Sequence, residues 1–147
     1  MRSSLFLRLA ALALGSSALC GCPPPDPAVA VAGVTTSQDA QGRSRLNVIF
    51  TNGGYSDYEG DLCLRVTWVK DASFELGGSR PVRNGGEVLE ETRVCRSAEI
   101  DTDEDFSVEI ESKVAMVPGA FAVVVVEPVS NDNGAVVDAT EVVVSAD

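Results

Sequence analysis

The sequence predicts an all-β protein, an antiparallel β-sandwich of seven to eight strands, and three observations support this prediction. The chain is rich in valine and in paired glycines, a composition typical of strands and turns. Short segments in which apolar and polar residues alternate are separated by turn signals, and few segments have the 3.6-residue period of a helix. About 125 residues follow an amino-terminal leader, which is enough for one domain with its own core.

The strands are predicted one by one from this alternation. They cover residues 28–34, 45–52, 61–70, 88–96, 106–111, 120–126 and a last, bulged segment over 136–144. The apolar face of the third strand ends in Trp68, which is therefore the expected centre of the core. The segment 72–86 contains two glycine pairs, and we expect it to be irregular, with one short edge strand at 80–83.

Two further features predict how the second half of the chain is arranged. The run 120–126 is apolar on both faces, which indicates a central strand that is covered on each side. The Asn133-Gly134 pair is the strongest hairpin signal in the chain.

The first residues predict an export signal. Arg2 and Arg8 precede and flank an apolar run over 9–19, the pattern of a cleaved signal peptide. A helix needs about 20 apolar residues to cross a bilayer, so this run is too short to remain as a membrane span.

The segment Leu19-Cys20-Gly21-Cys22 resembles the lipoprotein box of bacterial lipoproteins. The resemblance implies that Cys22 becomes the mature N-terminus and is lipidated, and two or more acyl chains hold a protein stably at a membrane. Pro23 stands where an Asp would favour the inner membrane, so the outer membrane is the expected location. The alternative is an ordinary cleavage after Ala18, which would release a soluble protein.

These features divide the chain into three parts. The lipoprotein signal peptide covers residues 1–21, the lipidated cysteine and a proline-rich tether cover 22–27, and the sandwich covers 28–147. The expected location is the bacterial cell envelope, with the membrane contacted through the lipid anchor.

Two cysteines remain for the mature domain. Cys20 leaves with the leader and Cys22 carries lipid, so Cys63 and Cys95 are the expected disulfide in an oxidising compartment. Alternation places both thiols on the polar faces of their strands, which predicts an outward bridge between neighbouring strands. Two free thiols are the alternative. The chain has no histidine, so a zinc site is not expected.

The charge of the chain limits its partners. The formal net charge is −11, and it becomes −13 when residues 1–21 remove Arg2 and Arg8. A surface of this sign repels phosphate backbones and anionic headgroups, so nucleic acid is not an expected partner.

Nothing in the sequence predicts an enzyme. No Ser-His or Cys-His pair can form without histidine, and no G-x-S-x-G, P-loop or H-E-x-x-H motif is present. A two-carboxylate hydrolase is the weakest alternative, because Glu90-Glu91 and the pair Glu109 and Glu111 lie on strand faces that are expected to be solvated.

Three features of the sequence are considered together: Trp68 on the third strand, Asn52-Gly53-Gly54 after the second, and the segment 117–123. They resemble the immunoglobulin-like modules of bacterial envelope proteins, the cell-adhesion-related domain above all. The resemblance covers residues 28–146. It implies an immunoglobulin-like sandwich that acts as a spacer or contact domain and carries no catalytic residues.

Two loops are candidate binding sites, one rich in acidic residues and one with two tyrosines. Asp101, Asp103 and Asp105 offer oxygen ligands to a calcium ion, with a solvated acidic turn as the alternative. Tyr55 and Tyr58 lie in a loop of Gly, Ser and Asp residues that is typical of partner contacts, with rings that cap the core as the alternative.

We therefore expect a lipid-anchored cell-envelope protein that acts without catalysis as a spacer or protein-contact module, with an envelope protein as its partner and no cofactor. The alternative is a calcium- or small-ligand-binding lipoprotein. In an immunoglobulin-like topology, the tyrosine loop, the 133–134 turn and the tether lie at the same end of the sandwich.

Overall fold

The computed structural model describes residues 26–146, and nine β-strands form most of that length. In chain order they are β1 (Val29–Gln38), β2 (Arg43–Asn52), β3 (Tyr58–Gly77), β4 (Arg80–Ile100), β5 (Asp105–Ala115), β6 (Phe121–Val126), β7 (Val129–Asn131), β8 (Gly134–Val137) and β9 (Thr140–Ser145). Within this part of the chain, no helix has the length and apolar character needed to cross a membrane. The signal peptide and Cys22 lie outside the described residues.

The strands form two sheets that face each other. The five-stranded sheet has the order β5-β2-β1-β8-β7 and the four-stranded sheet has the order β4-β3-β6-β9. Strand pairs are antiparallel, apart from the short parallel contact of β1 with β8. Without the β7–β8 hairpin, seven strands remain in two packed antiparallel sheets, which is the architecture of an immunoglobulin-like sandwich, here with the fourth strand in the sheet of the third. The predicted all-β sandwich is confirmed.

The strand count is higher than predicted because the C-terminal segment is divided. The expectation of one bulged strand over 136–144 is wrong, since β8 belongs to the five-stranded sheet and β9 to the four-stranded sheet. The chain changes sheets between them, and there the N–H of Asp138 donates to the carbonyl of Val29 (3.1 Å). The hairpin predicted from Asn133-Gly134 is the observed β7–β8 pair.

The core lies between the two sheets and follows the predicted alternation. Every second residue faces inward and is buried over 44–52 of β2, 62–68 of β3, 108–112 of β5 and 122–126 of β6. The largest fully buried side chains are Trp68, Phe50, Leu46, Leu62, Leu64 and Ile100. Trp68 is completely inaccessible to solvent, which confirms its predicted place in the core.

One buried side-chain amide joins several segments at the end of the sandwich where the described chain begins. Asn52 is fully buried, and its Oδ1 accepts hydrogen bonds from the N–H groups of Ala28 (3.2 Å) and Gly54 (3.0 Å). Its Nδ2 donates to the carbonyls of Ser56 (2.8 Å) and Ile100 (2.9 Å). All four hydrogen-bonding positions of the amide are therefore filled.

The backbone of Asn52 extends the same network. Its N–H donates to the carbonyl of Glu104 (3.2 Å), and its carbonyl accepts from the N–H of Asp103 (2.8 Å). Since Asn52 ends β2 in one sheet and Ile100 ends β4 in the other, this residue ties the two sheets together.

The β3–β4 hairpin continues far beyond the sheet to which it belongs. The two strands pair as far as Gly77 and Arg80, with one register shift between Trp68 and Val69, so the expectation that 72–86 is irregular is wrong. Its first glycine pair lies at the hairpin turn and its second lies opposite Asp71–Ala72, within the ladder. The two glycine pairs were expected to end strands. Instead, the first forms the hairpin turn and the second allows the hairpin to bend. We call residues 71–86 the arm.

The arm bends where its backbone adopts left-handed conformations. A β-bulge lies at Trp68 and Val69, and bulges increase the local twist of a hairpin. Directly beyond it, φ is +53° at Asp71, +69° at Gly85 and +87° at Gly86. Glycine reaches such angles without steric cost.

Beyond this bend the arm folds back over the outer face of the four-stranded sheet. The ring of Phe74 packs edge-on against Phe121 with centroids 5.2 Å apart, and Arg80 near the tip lines a cleft with Val125. Val123, which lies between these two β6 residues on the same face, is only 9 % exposed. The prediction that this apolar run is a central strand covered on both faces is confirmed, and the arm is the second cover.

The buried amide gives a first prediction. Asn52→Ala removes the side-chain amide, that is, its oxygen acceptor and its two N–H donors. Buried backbone groups then have no partner, so we expect the free energy of unfolding to fall by about 2–4 kcal/mol. Asn47→Ala, on the same strand but half-buried, is the matched control and should change it by less than about 1 kcal/mol. Denaturant unfolding measures both, and equal losses would contradict the role assigned to Asn52.

The bend gives a second prediction. A Cβ at Gly86 would lie 2.6 Å from Cβ of Ala72 and 2.9 Å from the carbonyl oxygen of Lys70, whereas a Cβ at Gly85 would meet nothing within 4 Å. Both residues have positive φ, so each substitution by alanine costs about 1–2 kcal/mol in backbone strain. Gly86→Ala should therefore destabilise more than Gly85→Ala in thermal unfolding, and NMR should show loss of the ring contact between the arm and β6. Equal destabilisation by the two variants would refute this account.

Candidate contact surfaces

Several loops meet at the end of the sandwich where β1 begins, which we call the Pro27 end. Pro27, the start of β3 around Asp57–Asp61, and β7 around Ser130 line one shallow cleft. The N–H of Thr102 donates to Oδ1 of Asp57 (3.1 Å), which brings the β4–β5 turn to the same place. The tyrosine loop and the β7–β8 hairpin therefore lie together with Pro27, the last residue of the predicted tether, while residues 22–25 of that tether lie outside the described residues.

The Pro27 end is uniformly acidic. The segments 53–61, 97–105 and 127–138 contain Asp and Glu residues but neither Lys nor Arg. Charges of one sign on one end of a small domain produce a local field that repels anionic surfaces.

The two tyrosines of the loop have different environments. Tyr58 is 3 % exposed and belongs to the core, and its hydroxyl donates to the carbonyl of Asp61 (2.9 Å). Burial raises the pKa of Tyr58, and the negative charge of Asp61 adds to the effect. Tyr55 is 77 % exposed. Tyr58 thus caps the core, and of the two only Tyr55 has a ring that a partner can reach.

The candidate calcium loop is a tight acidic turn. The N–H of Glu104 donates to the carbonyl of Asp101 (3.1 Å), and Asp103 has a φ of +63°. Asp105 lies beyond the turn as the first residue of β5. Within residues 26–146, no three metal-ligating side chains come together closely enough to hold a metal ion. The carboxylates of Asp101, Asp103 and Asp105 therefore do not converge on a shared site.

The disulfide lies on the outer face of the four-stranded sheet. Cys63 and Cys95 are directly opposite each other on β3 and β4, with Cα atoms 4.1 Å apart. Both are half-buried, while Leu62 and Leu64 beside Cys63 are fully buried in the core. The predicted outward bridge between neighbouring strands is confirmed.

An ion pair connects the same face to the end of β6. Arg93 on β4 donates through Nε and Nη2 to the two carboxylate oxygens of Glu127 (2.7 and 2.8 Å). These hydrogen bonds lower the pKa of Glu127 and outweigh partial desolvation, and the charges of Arg93 and Arg65 lower it further.

One member of each of the other two carboxylate pairs has structural partners. Oε2 of Glu90 accepts hydrogen bonds from the N–H groups of Lys113 (2.8 Å) and Val114 (3.3 Å), and so joins β4 to β5 across the sandwich. Glu111 forms ion pairs with Arg43 (2.8 Å) and Arg45 (3.0 Å) on β2. These contacts stabilise strand pairing and the packing of the sheets.

The surface that sequence analysis missed is a groove between the arm and the edge of the four-stranded sheet. Its arm side includes Phe74, Leu76 and Pro81, and its sheet side includes Phe121 and Val143. Leu76 is 87 % exposed, an unusual environment for a leucine in an ordered strand. The alternation of Phe74 and Leu76 with polar neighbours was the signal that could have identified this part of the arm as a strand.

The strand beside this groove is an edge. β9 pairs with β6, and no strand among residues 26–146 pairs with its other side. The edge strand β5 of the other sheet carries the charges of Glu109, Glu111 and Lys113, whereas β9 carries Glu141 alone. Charges on edge strands prevent unwanted pairing, so β9 is the less protected edge.

Comparisons with known proteins show no family. No family model matches the chain, and no curated protein matches it. Among solved structures, a sporulation control protein from Bacillus subtilis is similar with a TM-score of 0.42 and 12% identity, over 82% of this chain and 48% of that one. A β-glucosidase from Erythrobacter marinus is similar with a TM-score of 0.39 and 17% identity, over 81% of this chain and 15% of that one. The chain thus spans less than half the length of either protein.

The ion pair of Glu127 gives a third prediction. Because the pKa of Glu127 is lowered in the folded state, its ionised form stabilises the fold above the unfolded pKa of about 4.5 and this contribution is lost as pH falls through the lower folded value. Glu127→Gln should therefore lower the Tm at pH 7, and the difference from the unaltered protein should shrink below about pH 4.5. Glu75→Gln, an exposed position on the arm, is the control and should show little change at either pH. A Tm difference that does not depend on pH would contradict the electrostatic origin.

Proposed function

We propose that this protein is a bacterial lipoprotein, exported by its leader and anchored through Cys22, that acts in the cell envelope as a non-catalytic spacer or protein-contact module. The observation that carries the proposal is the segment Leu19–Cys22, which lies directly after the apolar run 9–19. That spacing is typical of lipidated export signals.

The disulfide supports the exported location. Cys63 and Cys95 are bonded on the outer face of the sheet, and such bonds persist in oxidising compartments but are rare in the cytosol. Loop closure over 32 residues contributes about 3–4 kcal/mol in the chain-entropy model, which suits a small domain outside the cell interior.

The charge distribution supports a domain that stands away from the bilayer. A chain anchored at Cys22 enters the sandwich at Pro27, and among the described acidic residues of the surrounding segments only Glu127 pairs with a cation, Arg93. Repulsion between this end and anionic headgroups, together with a stiff proline-rich tether over 22–27, keeps the sandwich off the membrane. The arm and β9 then stay available for contact with another protein instead of lying against lipid.

A contact role also agrees with the hydrogen bonds and ion pairs that the glutamate side chains form. The carboxylates of Glu90, Glu111 and Glu127 bind backbone amides or arginines, and these contacts are structural. In this proposal the outer membrane is the site of anchoring, because Pro23 follows the lipidated cysteine, and an envelope protein is the partner.

The anchor gives a fourth prediction. Cys22→Ala should leave the unlipidated chain without stable membrane attachment, whereas Cys20→Ala, two residues earlier in the leader, should leave lipidation intact. Membrane fractionation and mass spectrometry of the mature N-terminus measure both variants. An unmodified mature chain beginning at Leu19 in the soluble fraction would overturn the proposal.

A further inference from the structure

Several asparagines of this chain are followed directly by glycine, in the pairs Asn52-Gly53, Asn84-Gly85 and Asn133-Gly134. Asparagine is a chemically labile residue, because the backbone nitrogen of the next residue can attack its side-chain amide. Glycine has no side chain to obstruct this attack, and its backbone reaches conformations that other residues avoid. The pairs share the same local chemistry, so differences in their reactivity in the folded protein arise from the structure around them.

The pair Asn52-Gly53 is protected by the network at the Pro27 end. The side chain of Asn52 is fully buried, and all of its hydrogen-bonding positions are filled. The N–H of Gly53 donates to the carbonyl of Ala28 (2.9 Å). Both the attacking nitrogen and the amide under attack are therefore held by other groups. Reaction at this pair requires that the contacts between the two sheets open first.

The pair Asn84-Gly85 lies within the arm and has intermediate protection. Asn84 is exposed, but it is opposite Ser73 in a ladder that continues on both sides. Ring closure requires the backbone of the asparagine to rotate away from its strand conformation, because the next nitrogen must approach the end of the side chain. A continuous ladder opposes this rotation, since paired neighbours would have to separate.

The pair Asn133-Gly134 is the least constrained. Asn133 is exposed and lies in the two-residue turn between β7 and β8, where its N–H donates to Oδ1 of Asn131 (2.8 Å). All three residues of β7 are exposed, and the strand is at the edge of its sheet. Its pairing with β8 contains a register shift. A short hairpin with few buried contacts opens locally at lower cost than the strands of the core.

We propose that Asn133 is the site at which the folded protein undergoes deamidation. The backbone nitrogen of Gly134 attacks Cγ of Asn133 and forms a C–N bond. The proton of that nitrogen passes through solvent to Nδ2, which leaves as ammonia when the Cγ–Nδ2 bond breaks. One water molecule then opens the cyclic imide at either carbonyl and leaves aspartate or isoaspartate at residue 133. Water is the only co-reactant, and nothing is oxidised or reduced.

The modification changes the Pro27 end in charge and in shape. Either product adds a carboxylate to the segment 127–138, which already contains Asp and Glu but neither Lys nor Arg. In isoaspartate the main chain passes through the side-chain methylene, so the turn gains an extra backbone carbon and the β7–β8 pairing is disturbed. Ser130 and Val136 of this hairpin line the cleft beside Pro27, so the cleft changes with the turn. This inference goes beyond the proposed contact role and does not depend on it.

The test follows the three pairs at the same time in the full chain. The protein is incubated at neutral pH in detergent micelles, and a parallel sample is kept unfolded in guanidinium chloride. Peptides from digestion at mildly acidic pH are analysed by mass spectrometry, with electron-based fragmentation to identify isoaspartate. In the folded protein, residue 133 should react at least about tenfold faster than residue 52, with residue 84 between them. In the unfolded sample the three rates should be similar, because the protecting structure is gone.

Two variants separate the chemistry from its effect on the hairpin. Asn133→Gln keeps an amide but requires a larger, slower-forming ring, so modification at residue 133 should disappear while residues 52 and 84 are unaffected. Asn133→Asp adds the charge without the extra backbone carbon. Its NMR spectrum should therefore keep the contacts between β7 and β8, whereas the purified isoaspartyl form should lose them.

The inference would be overturned if residue 52 or residue 84 reacted as fast as residue 133 in the folded protein. It would also be overturned if residue 133 reacted only in the unfolded sample, which would show that the hairpin protects it. Failure of the anchor proposal is recognised separately. Membrane attachment is read from fractionation of Cys22→Ala, while deamidation at residue 133 does not depend on that cysteine.

Discussion

The buried amide of Asn52 is the interaction on which the arrangement of this sandwich depends. It fills both acceptor and both donor positions with backbone groups from the start of β1, the β2–β3 loop and the end of β4. A buried amide with one vacant position would cost more than an apolar side chain in its place. With every position filled, it fixes the start of β1, the β2–β3 loop and the end of β4, and so joins the two sheets at the Pro27 end.

The arm solves a different problem, the apolar outer face of β6. A strand with Val123 and Phe121 on its solvent side would expose a large apolar patch, and the folded-back hairpin covers much of it. The cover is incomplete at the tip, where Leu76 and Pro81 are left beside the open edge of β9. Stability of the sheet and availability of a contact surface thus arise from the same hairpin.

Alternation of apolar and polar residues was sufficient to predict the core, because burial on one face determines the pattern of β2, β3 and β5 directly. The same alternation predicted that the disulfide lies on the outer face of the sheet, since Cys63 lies between two inward-facing leucines. The arm was not predicted, because the pair Gly85-Gly86 has the same composition whether it breaks a strand or bends one. Likewise, the division of residues 136–144 between two sheets was not predicted, because the segment 138–141 between the two valine groups is compatible with a bulge in one strand as well as with a connection between two strands.

The candidate site was predicted only in part, for a related reason. Tyr55 and Tyr58 have similar neighbours in sequence, and their separation into a solvent-exposed ring and a core ring depends on which way the loop enters β3. The edge of β9 depends on the order of strands in the sheet, which pairwise patterns along the chain do not specify.

The position of Gly54 has a mechanical consequence. A side chain there would collide with the backbone of Pro27 and Ala28, and the N–H of Gly53 donates to the carbonyl of Ala28 (2.9 Å). Close packing and a hydrogen bond thus hold the chain in place before β1 begins, and β1 pairs with β2 in a long antiparallel ladder. Tension applied at residue 27 acts along the strand axis, at right angles to the ladder hydrogen bonds. These bonds share the load instead of opening one after another, so the domain can withstand pulling at the end where its tether enters.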